Sequence, residues 1–377
     1  MNIYGQAPLL SGSFQLLGLV EDYKSFVWKE RYTAFGDFEM VLDRSSKSLL
    51  FLSIGNELVH DESNRVMRIE TKIIRESLEG EDEVVISGRS WESHLLARCL
   101  APQRYGDAYY QSGGERTTLI GSIVSRAFST STTPVFAPLN PADSLATFQA
   151  QGGPYVPGEG PISIQLEPGP VYDIVVDLCA PFDMGFSVKK LVQQPTEHRY
   201  YFSTYFGVDR TGVQSTNNRV SFGTDMGNLN SLEELTSQVD YYNVAYVFWG
   251  ENFDMEIVLP AGVTTTPVGL SRRALFVNAR DIRVDSEVTL TQAKAAARQR
   301  GLSELAKHKE QRLVDGEVVN NGFFKYGEHY GMGDIVELWT GSQISRKRVT
   351  EYIWTSDRAK GEQGYPTFSE ILWEPAP

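Results

Sequence analysis

Ile54-Gly55-Asn56-Glu57-Leu58-Val59, followed by Arg65-Val66-Met67-Arg68-Ile69, returns near the other end of the chain as Met332-Gly333-Asp334-Ile335-Val336-Glu337-Leu338, followed by Arg348-Val349-Thr350-Glu351-Tyr352-Ile353. Each stretch has a Gly-Asn or Gly-Asp turn, an alternating strand, a polar loop and a returning strand that opens on Arg-Val. A turn with positive φ favours Gly, Asn or Asp, and period-two alternation gives one buried and one wet face, so both stretches read as β-hairpins. Gly55, Asn56, Arg65 and Val66 are thereby set against Gly333, Asp334, Arg348 and Val349. A chain carrying two copies of one barrel element can build a ring with twice its subunit symmetry. Because Arg348 stands farther from Gly333 than Arg65 does from Gly55, the equivalence is expected to hold for the strands and fail at the loop.

Outward from the first copy, Phe14 to Leu19, Tyr23 to Trp28, Phe38 to Leu42, Leu49 to Val59, Arg65 to Ile74 and Glu83 to Ser87 form short alternating runs, the signature of a barrel or sandwich. Ser90 to Arg98 reads as a short helix with Ser90 as cap. Helical faces also appear at Thr117 to Phe128 and at Val171 to Cys179, whereas Ser129 to Gly169 is rich in Pro, Gly, Ser and Thr and reads as a long surface excursion. Strands resume at Gly185 to Val192, Arg199 to Val208, Arg219 to Gly223 and Val244 to Trp249, with a short helix at Ser231 to Gln238 and a strand at Arg280 to Asp285. Thr291 to Gln311 is a strong helix whose apolar stripe, Ala295, Leu302, Leu305 and Ala306, is narrow. Strands at Gly322 to Lys325, Asp334 to Leu338, Ile344 to Ile353 and Thr367 to Trp373 end the chain. The expected division is 1–100, a first barrel-type domain; 101–190, an α/β insert; 191–290, a β-rich central domain; and 291–377, the long helix and second-barrel elements.

The chain has 377 residues, a formal charge of −13, 18 Tyr, 19 Phe and 33 Gly, the mix of a β-rich protein with many turns. An acidic chain lacks the basic surface that general nucleic-acid binding requires. Cys99 and Cys179 both lie in apolar runs and are expected as buried thiols; a contact between them is left open. There is no signal-type N-terminus and no apolar run long enough to cross a bilayer, so a soluble product made in a cytoplasm is expected.

Taken in order, Val27-Trp28-Lys29-Glu30-Arg31-Tyr32, Gly36-Asp37-Phe38-Glu39-Met40-Val41-Leu42, Gly55-Asn56-Glu57-Leu58-Val59, Val84-Val85-Ile86-Ser87-Gly88-Arg89-Ser90-Trp91 and Leu95-Leu96-Ala97-Arg98 resemble the minor tail proteins of siphophages, in particular the baseplate hub or tail-associated (tail tip) family. Arg219-Val220-Ser221-Phe222-Gly223, Gly227-Asn228-Leu229 and Asp240-Tyr241-Tyr242-Asn243-Val244-Ala245 resemble its central segment, and Tyr330-Gly331-Met332-Gly333-Asp334-Ile335-Val336 with Arg348-Val349-Thr350 its ending. The resemblance implies a mainly β (α+β) fold with two tube-type β-barrel domains, a small α-containing insert and a further β-rich domain. It also implies a homotrimer that mimics a hexameric ring at the tail tip of the virion. The implied partners are the distal tail protein, the tape-measure protein and a tail fibre or receptor-binding protein, with DNA passing through without specific binding and no stable membrane insertion. The hub of a related cellular injection device fits the same resemblance. Acidic residues lining a central channel would keep DNA from sticking to the wall; acidic residues solvating the outside would account for the charge equally well.

No catalytic constellation is expected. His60, His94, His198, His308 and His329 stand far apart in sequence, with no paired metal-ligand spacing, and there is no nucleophile elbow or phosphate-binding loop. Neither a metal nor a cofactor is implied. The alternative is a tail protein that binds or cleaves cell-wall glycan, for which Glu233 with Glu234, Asp173 with Asp177, or Asp281 with Asp285 could flank a glycosidic bond. The aromatics Tyr200, Tyr201, Phe202, Tyr205, Phe206, Tyr246, Phe248 and Trp249 could line a sugar cleft, although core packing accounts for such clusters as well. Arg298, Arg300, Lys307, Lys309 and Arg312 make the long helix basic, as a solvated face or a contact to an acidic neighbour.

Overall fold

The computed structural model describes residues 2–8, 14–76, 82–100, 109–128, 148–194, 197–214, 216–252, 254–318, 323–340, 343–357 and 361–371. Alternation builds the first seven strands, β1 (Ile3–Pro8), β2 (Phe14–Val20), β3 (Tyr23–Arg31), β4 (Asp37–Asp43), β5 (Glu57–His60), β6 (Val66–Arg75) and β7 (Glu83–Ser90). In β3 and β4 the alternate residues Phe26, Trp28, Phe38, Met40 and Leu42 are apolar and buried, and Glu30 continues the buried face of β3. Before β5, Lys47–Leu50 is a 3-10 turn capped by Ser46, so the strand expected from Leu49 starts only at Glu57.

The middle of the chain packs two helices on short strands. After a 3-10 segment at Trp91–Ala97 come β8 (Cys99–Leu100), β9 (Tyr110–Gly114), α1 (Arg116–Phe128), β10 (Phe148–Gln151), β11 (Ile162–Leu166), β12 (Gly169–Pro170), α2 (Val171–Cys179), β13 (Gly185–Gln194) and β14 (Glu197–Tyr205). The helical faces expected at α1 and α2 are the buried ones and join β13 and β14 in one apolar core. Of the expected excursion, 129–147 lies outside the described residues and the remainder supplies β10, β11 and the first residue of β12. Cys179 is buried and its thiol is pushed up to about 12 by that burial. Cys99 is exposed, contrary to expectation, because it sits at the edge of a two-residue strand; both thiols are free.

The remaining elements are β15 (Ser221–Gly223), β16 (Leu229–Ser237), β17 (Val244–Trp249), β18 (Asp254–Val258), β19 (Ala274–Ala279), α3 (Leu290–Lys307), β20 (Gln311–Val318), β21 (Ile335–Thr340), β22 (Gln343–Asp357) and β23 (Gly361–Ser369). The helix expected at Ser231–Gln238 is strand β16. Its Leu-Glu-Glu-Leu spacing suits a helix, but the ladder with β20 takes up its backbone groups instead. Arg280–Asp285 is a turn and loop, with Ile282 alone buried, where a strand was expected. Of the expected stripe on helix α3 only Leu305 is buried; the helix otherwise buries Ala293, Ala296, Ala297, Gly301 and Ser303. Small residues win because the helix lies against β17 so closely that a Cβ on Gly301 would come within 2.6 Å of the Val247 side chain.

One large sheet runs β16-β20-β23-β22-β3-β4-β7-β6-β5-β1-β2, with β21 also pairing with β22 and with β15. Within it the string β3-β4-β7-β6-β5 is repeated as β16-β20-β23-β22-β21. The repetition extends to irregularities. The bulge at Lys24 between Tyr23 and Ser25 matches one at Asn230 between Leu229 and Ser231. The bulge at Glu70 between Ile69 and Thr71 matches one at Thr350 between Val349 and Glu351. A bulge leaves an unpaired residue and a local kink, so two bulges at matching sites mark one structural unit present twice. The copies differ in what they enclose. Five residues link Arg31 to Asp37 in the first, whereas 238–310, carrying β17, β18, β19 and α3, separates the equivalent strands of the second. The units share one core, in which Phe26, Trp28, Phe38, Met40 and Ile69 of the first meet Val314, Val336, Val349, Trp354 and Phe368 of the second.

His60 is sealed in that core, 3% exposed, with its ring centre 5.6 Å from Trp28 and 5.3 Å from Trp354. Burial pulls its pKa down to about 4 from an ordinary 6.5. The unfolded chain therefore binds the proton first, and stability held above pH 6.5 is lost as pH falls toward 4. Between pH 7.5 and pH 5 this one group is expected to remove about 2 kcal/mol. Urea titrations should show a pH dependence smaller by that amount in His60→Gln; an unchanged dependence would contradict the burial argument.

Candidate functional site

Both hairpins act as anchors for the middle of the chain. In the first, Gly55 has φ +92 and donates its N–H to the Ile69 carbonyl at 2.9 Å, while the Ile69 N–H reaches the Asn56 carbonyl at 2.8 Å. In the second, Gly333 has φ +87 and makes the same pair of bonds with Val349, whose N–H reaches the Asp334 carbonyl, at 2.8 and 2.9 Å. This register sets Arg68-Ile69, not Arg65-Val66, against Arg348-Val349. Glu57 faces Arg68 just as Ile335 faces Arg348. The Arg-Val dipeptides match as text but lie three residues out of step.

Glu57 is buried and accepts from three neutral donors, the Gln6 amide at 2.7 Å, the Trp91 indole at 2.8 Å and the Tyr200 hydroxyl at 2.8 Å. Trp91 and Tyr200 stack on each other with centroids 4.0 Å apart. A carboxylate buried among directed donors holds these elements in one arrangement. Arg65 is buried beside Glu92 in an ion pair and reaches the Arg31 carbonyl and the Tyr205 hydroxyl.

The second anchor is built around Tyr32. Its ring is pinched between Gly185 and Gly333, where a Cβ would come within 2.2 and 2.3 Å of the ring respectively. Its hydroxyl is within donating distance of the Asp183 carbonyl at 2.9 Å and the Tyr205 carbonyl at 3.2 Å, and burial pushes its pKa well up. Arg348, 2% exposed, stands over the Tyr32 ring, donates from Nε to Asp183 at 2.8 Å and from Nη1 to the Gly333 carbonyl at 2.7 Å. Among the described residues Asp183 is the non-glycine with positive φ, +51, a conformation held by these contacts. Asp334 accepts from the Val208 N–H and from Arg210, which fixes the chain as it leaves the middle segment.

Opposite the shared core, the large sheet presents a second, polar face. By register its side chains come from alternate positions of β16, β20, β22, β3, β4, β7 and β6. Its acids include Glu233, Glu317, Glu351, Asp357, Asp37, Glu39, Asp43, Glu83 and Glu70; its cations include Lys29, Arg31, Arg75, Arg89 and Lys24, the last of which holds Asp43 at 3.0 Å and Glu83 at 3.1 Å. Most of the cations already hold carboxylates. Arg31 bridges Asp37 at 2.5 Å and Glu351 at 2.6 Å across the boundary between units, Lys29 lies 3.8 Å from Asp37, and Arg89 grips Glu70 with two bonds of 2.6 and 3.0 Å. That grip, opposed by partial burial, raises the Arg89 pKa. Glu39 stands exposed in a concavity of about 490 Å³ on this face. Among the described residues this face, with most of its cations paired and its acids in excess, disfavours polyanions and offers phosphate no vacant guanidinium cluster.

The other sequence candidates are dispersed. Glu233 and Glu234 lie on opposite faces of β16 by strand alternation. Asp177 is bound by Lys307 at 2.9 Å, Asp281 by Arg300 at 2.7 Å, and Asp285 accepts the Val288 N–H at 2.9 Å. Tyr200 and Phe202 are core residues, and Tyr205 packs edge-on against Tyr32. Arg298 approaches Glu256, and with Arg300 and Lys307 paired as above much of the basic character of α3 is answered within the chain, whereas Arg312 lies on β20, 3.0 Å from Glu310. Among the described residues no group of three His, Cys, Asp or Glu gathers as metal ligands, and no helix is long and apolar enough to cross a membrane.

A family model described as siphovirus ReqiPepy6 Gp37-like protein matches residues 7–368. The chain is similar in fold to the tail protein from Neisseria meningitidis MC58, at 13% identity and TM-score 0.55 over 100% of this chain and 99% of that one. It is also similar to the 43 kDa tail protein of prophage MuSo2 from Shewanella oneidensis, at 12% identity and TM-score 0.54 over 100% of both chains. The prophage tail protein gp18 from Listeria monocytogenes EGD-e matches at 9% identity and TM-score 0.50, over 99% of this chain and 96% of that one. At such identities the likeness is one of fold. No curated protein matches in sequence.

Proposed function

The chain belongs to the siphovirus ReqiPepy6 Gp37-like family and has a mainly β fold shared with phage tail proteins, and from that premise we propose that it is a structural component of the virion tail that forms the hub at the tail tip. Three copies, each giving two barrel-type units, make a ring with pseudo-sixfold symmetry that closes the tail tube. The observation that carries this reading is the duplicated five-stranded string with its matched bulges. A duplicated unit is what lets a threefold assembly meet a sixfold one.

The polar sheet face lines the channel in this reading, and DNA slides past its surplus acid without binding. The segments between the two units, anchored by Glu57 and by Tyr32 with Arg348, form the outer body. The distal tail protein binds above, the tape-measure protein ends within, and a fibre or receptor-binding protein attaches below. The role is structural and uses no cofactor. Cryo-EM of assembled tails is expected to show three chains and six equivalent units at the tip. A sixfold ring of chains, or a single chain there, would overturn the proposal.

A further inference from the structure

The two units of one chain are joined by a β-ladder, and the duplication gives that ladder a counterpart between chains. Inside the chain the second half of β22 pairs antiparallel with β3, Ile353 opposite Lys29 and Thr355 opposite Val27. Counting from the matched bulges, Ile353 and Thr355 correspond to Ile73 and Arg75 on β6, and Lys29 and Val27 to Leu235 and Glu233 on β16. Yet among the described residues the second half of β6 pairs only with β7, and β16 ends the sheet with only β20 beside it. Each unit thus has one edge used within the chain, and the equivalent edge of its copy stands open. Both open edges carry a bare apolar side chain, Ile73 at 45% and Leu235 at 50% exposure.

We infer that the β6 edge of one copy of this chain pairs antiparallel with the β16 edge of a second copy, with Ile73 opposite Leu235 and Arg75 opposite Glu233. This rests on the ring proposed above and says which strands close it. An exposed strand edge is a template for another strand, and the second copy is the partner whose edge is already shown, within the chain, to fit. Charge selects the same pairing. β6 offers Lys72 and Arg75 and β16 offers Glu233 and Glu234, so unlike edges attract, whereas β6 on β6 or β16 on β16 would set like charges opposite. The contact is therefore head-to-tail, the kind that closes into rings.

The test places cysteines at Ile73 and Leu235 of one full-length chain carrying Cys99→Ser. Directly opposite residues of an antiparallel pair have Cα atoms about 4.5–5.5 Å apart, within disulfide range. Mild oxidation of assembled tails is expected to give a ladder of linked chains on a denaturing gel, reversed by reductant. Ile73→Cys alone should give none, and Ile73→Cys with Thr236→Cys, whose side chain faces the other way, at least tenfold less. In a second arm, Arg75→Glu or Glu233→Arg alone should weaken self-association of the purified chain about tenfold or more, and the two together should restore it. Oligomers that neither cross-link at 73 and 235 nor respond to the charge swap would overturn the edge pairing and leave the ring standing. Single chains in both the purified protein and the tail would overturn the ring itself.

Discussion

Arg348→Ala is expected to lower the free energy of unfolding by about 3–5 kcal/mol, the usual cost of removing one partner from a buried ion pair. The loss has two parts. Asp183 is left buried and charged without its guanidinium, and the Gly333 carbonyl loses its donor. Arg348→Lys should recover little, because one ammonium cannot serve Asp183 and the Gly333 carbonyl while covering the Tyr32 ring as the planar guanidinium does. Because Asp183 belongs to the middle of the chain and Arg348 to the second unit, proteolysis between them should accelerate along with the fall in urea midpoint. A change below about 1 kcal/mol would mean that the anchor lies elsewhere.

Gly333→Ala is expected to cost about 3–5 kcal/mol and Gly55→Ala only about 1–2, although both residues occupy the same turn of the same repeated hairpin. Their backbones are alike, φ +87 and +92, so an added methyl strains both by the penalty of a left-handed conformation. The surroundings differ. At Gly55 the nearest atom within reach is a guanidinium nitrogen of Arg68 at 3.9 Å, whereas at Gly333 the methyl would overlap the Tyr32 ring at 2.3 Å and force a packed core apart. Equal losses in urea titrations would show that backbone strain alone governs the turn. The contrast separates conformational demand from packing at positions that match in the hairpin.

The hairpins, the alternation of β3 and β4 and the faces of α1 and α2 were legible because each is written in neighbouring residues. The joining of β22 to β3 was not. A ladder is made of backbone groups, which carry no residue identity, and its strands lie more than 300 residues apart. The register of the repeat was misplaced for a related reason. Arg65-Val66 copies Arg348-Val349 in text, but position is set by the hydrogen bonds from Gly55 and Gly333, and those select Ile69 and Val349. At Ser231–Gln238 a local helical spacing yielded to a neighbouring strand. The excess of acid was plain in the composition, while which acids share one sheet face became visible only once the strands were ordered.

The unequal connections of the two copies, five residues after Arg31 against the long segment 238–310 after Ser237, bear on how such a protein can evolve. When every position of a ring is encoded by the same gene segment, an ornament added to one position is added to all. Fusing two copies in one reading frame removes that constraint. Mutation can then furnish alternate positions with an extra helix and sheet while the positions between stay bare, and the two halves drift apart in sequence under a common scaffold of strands.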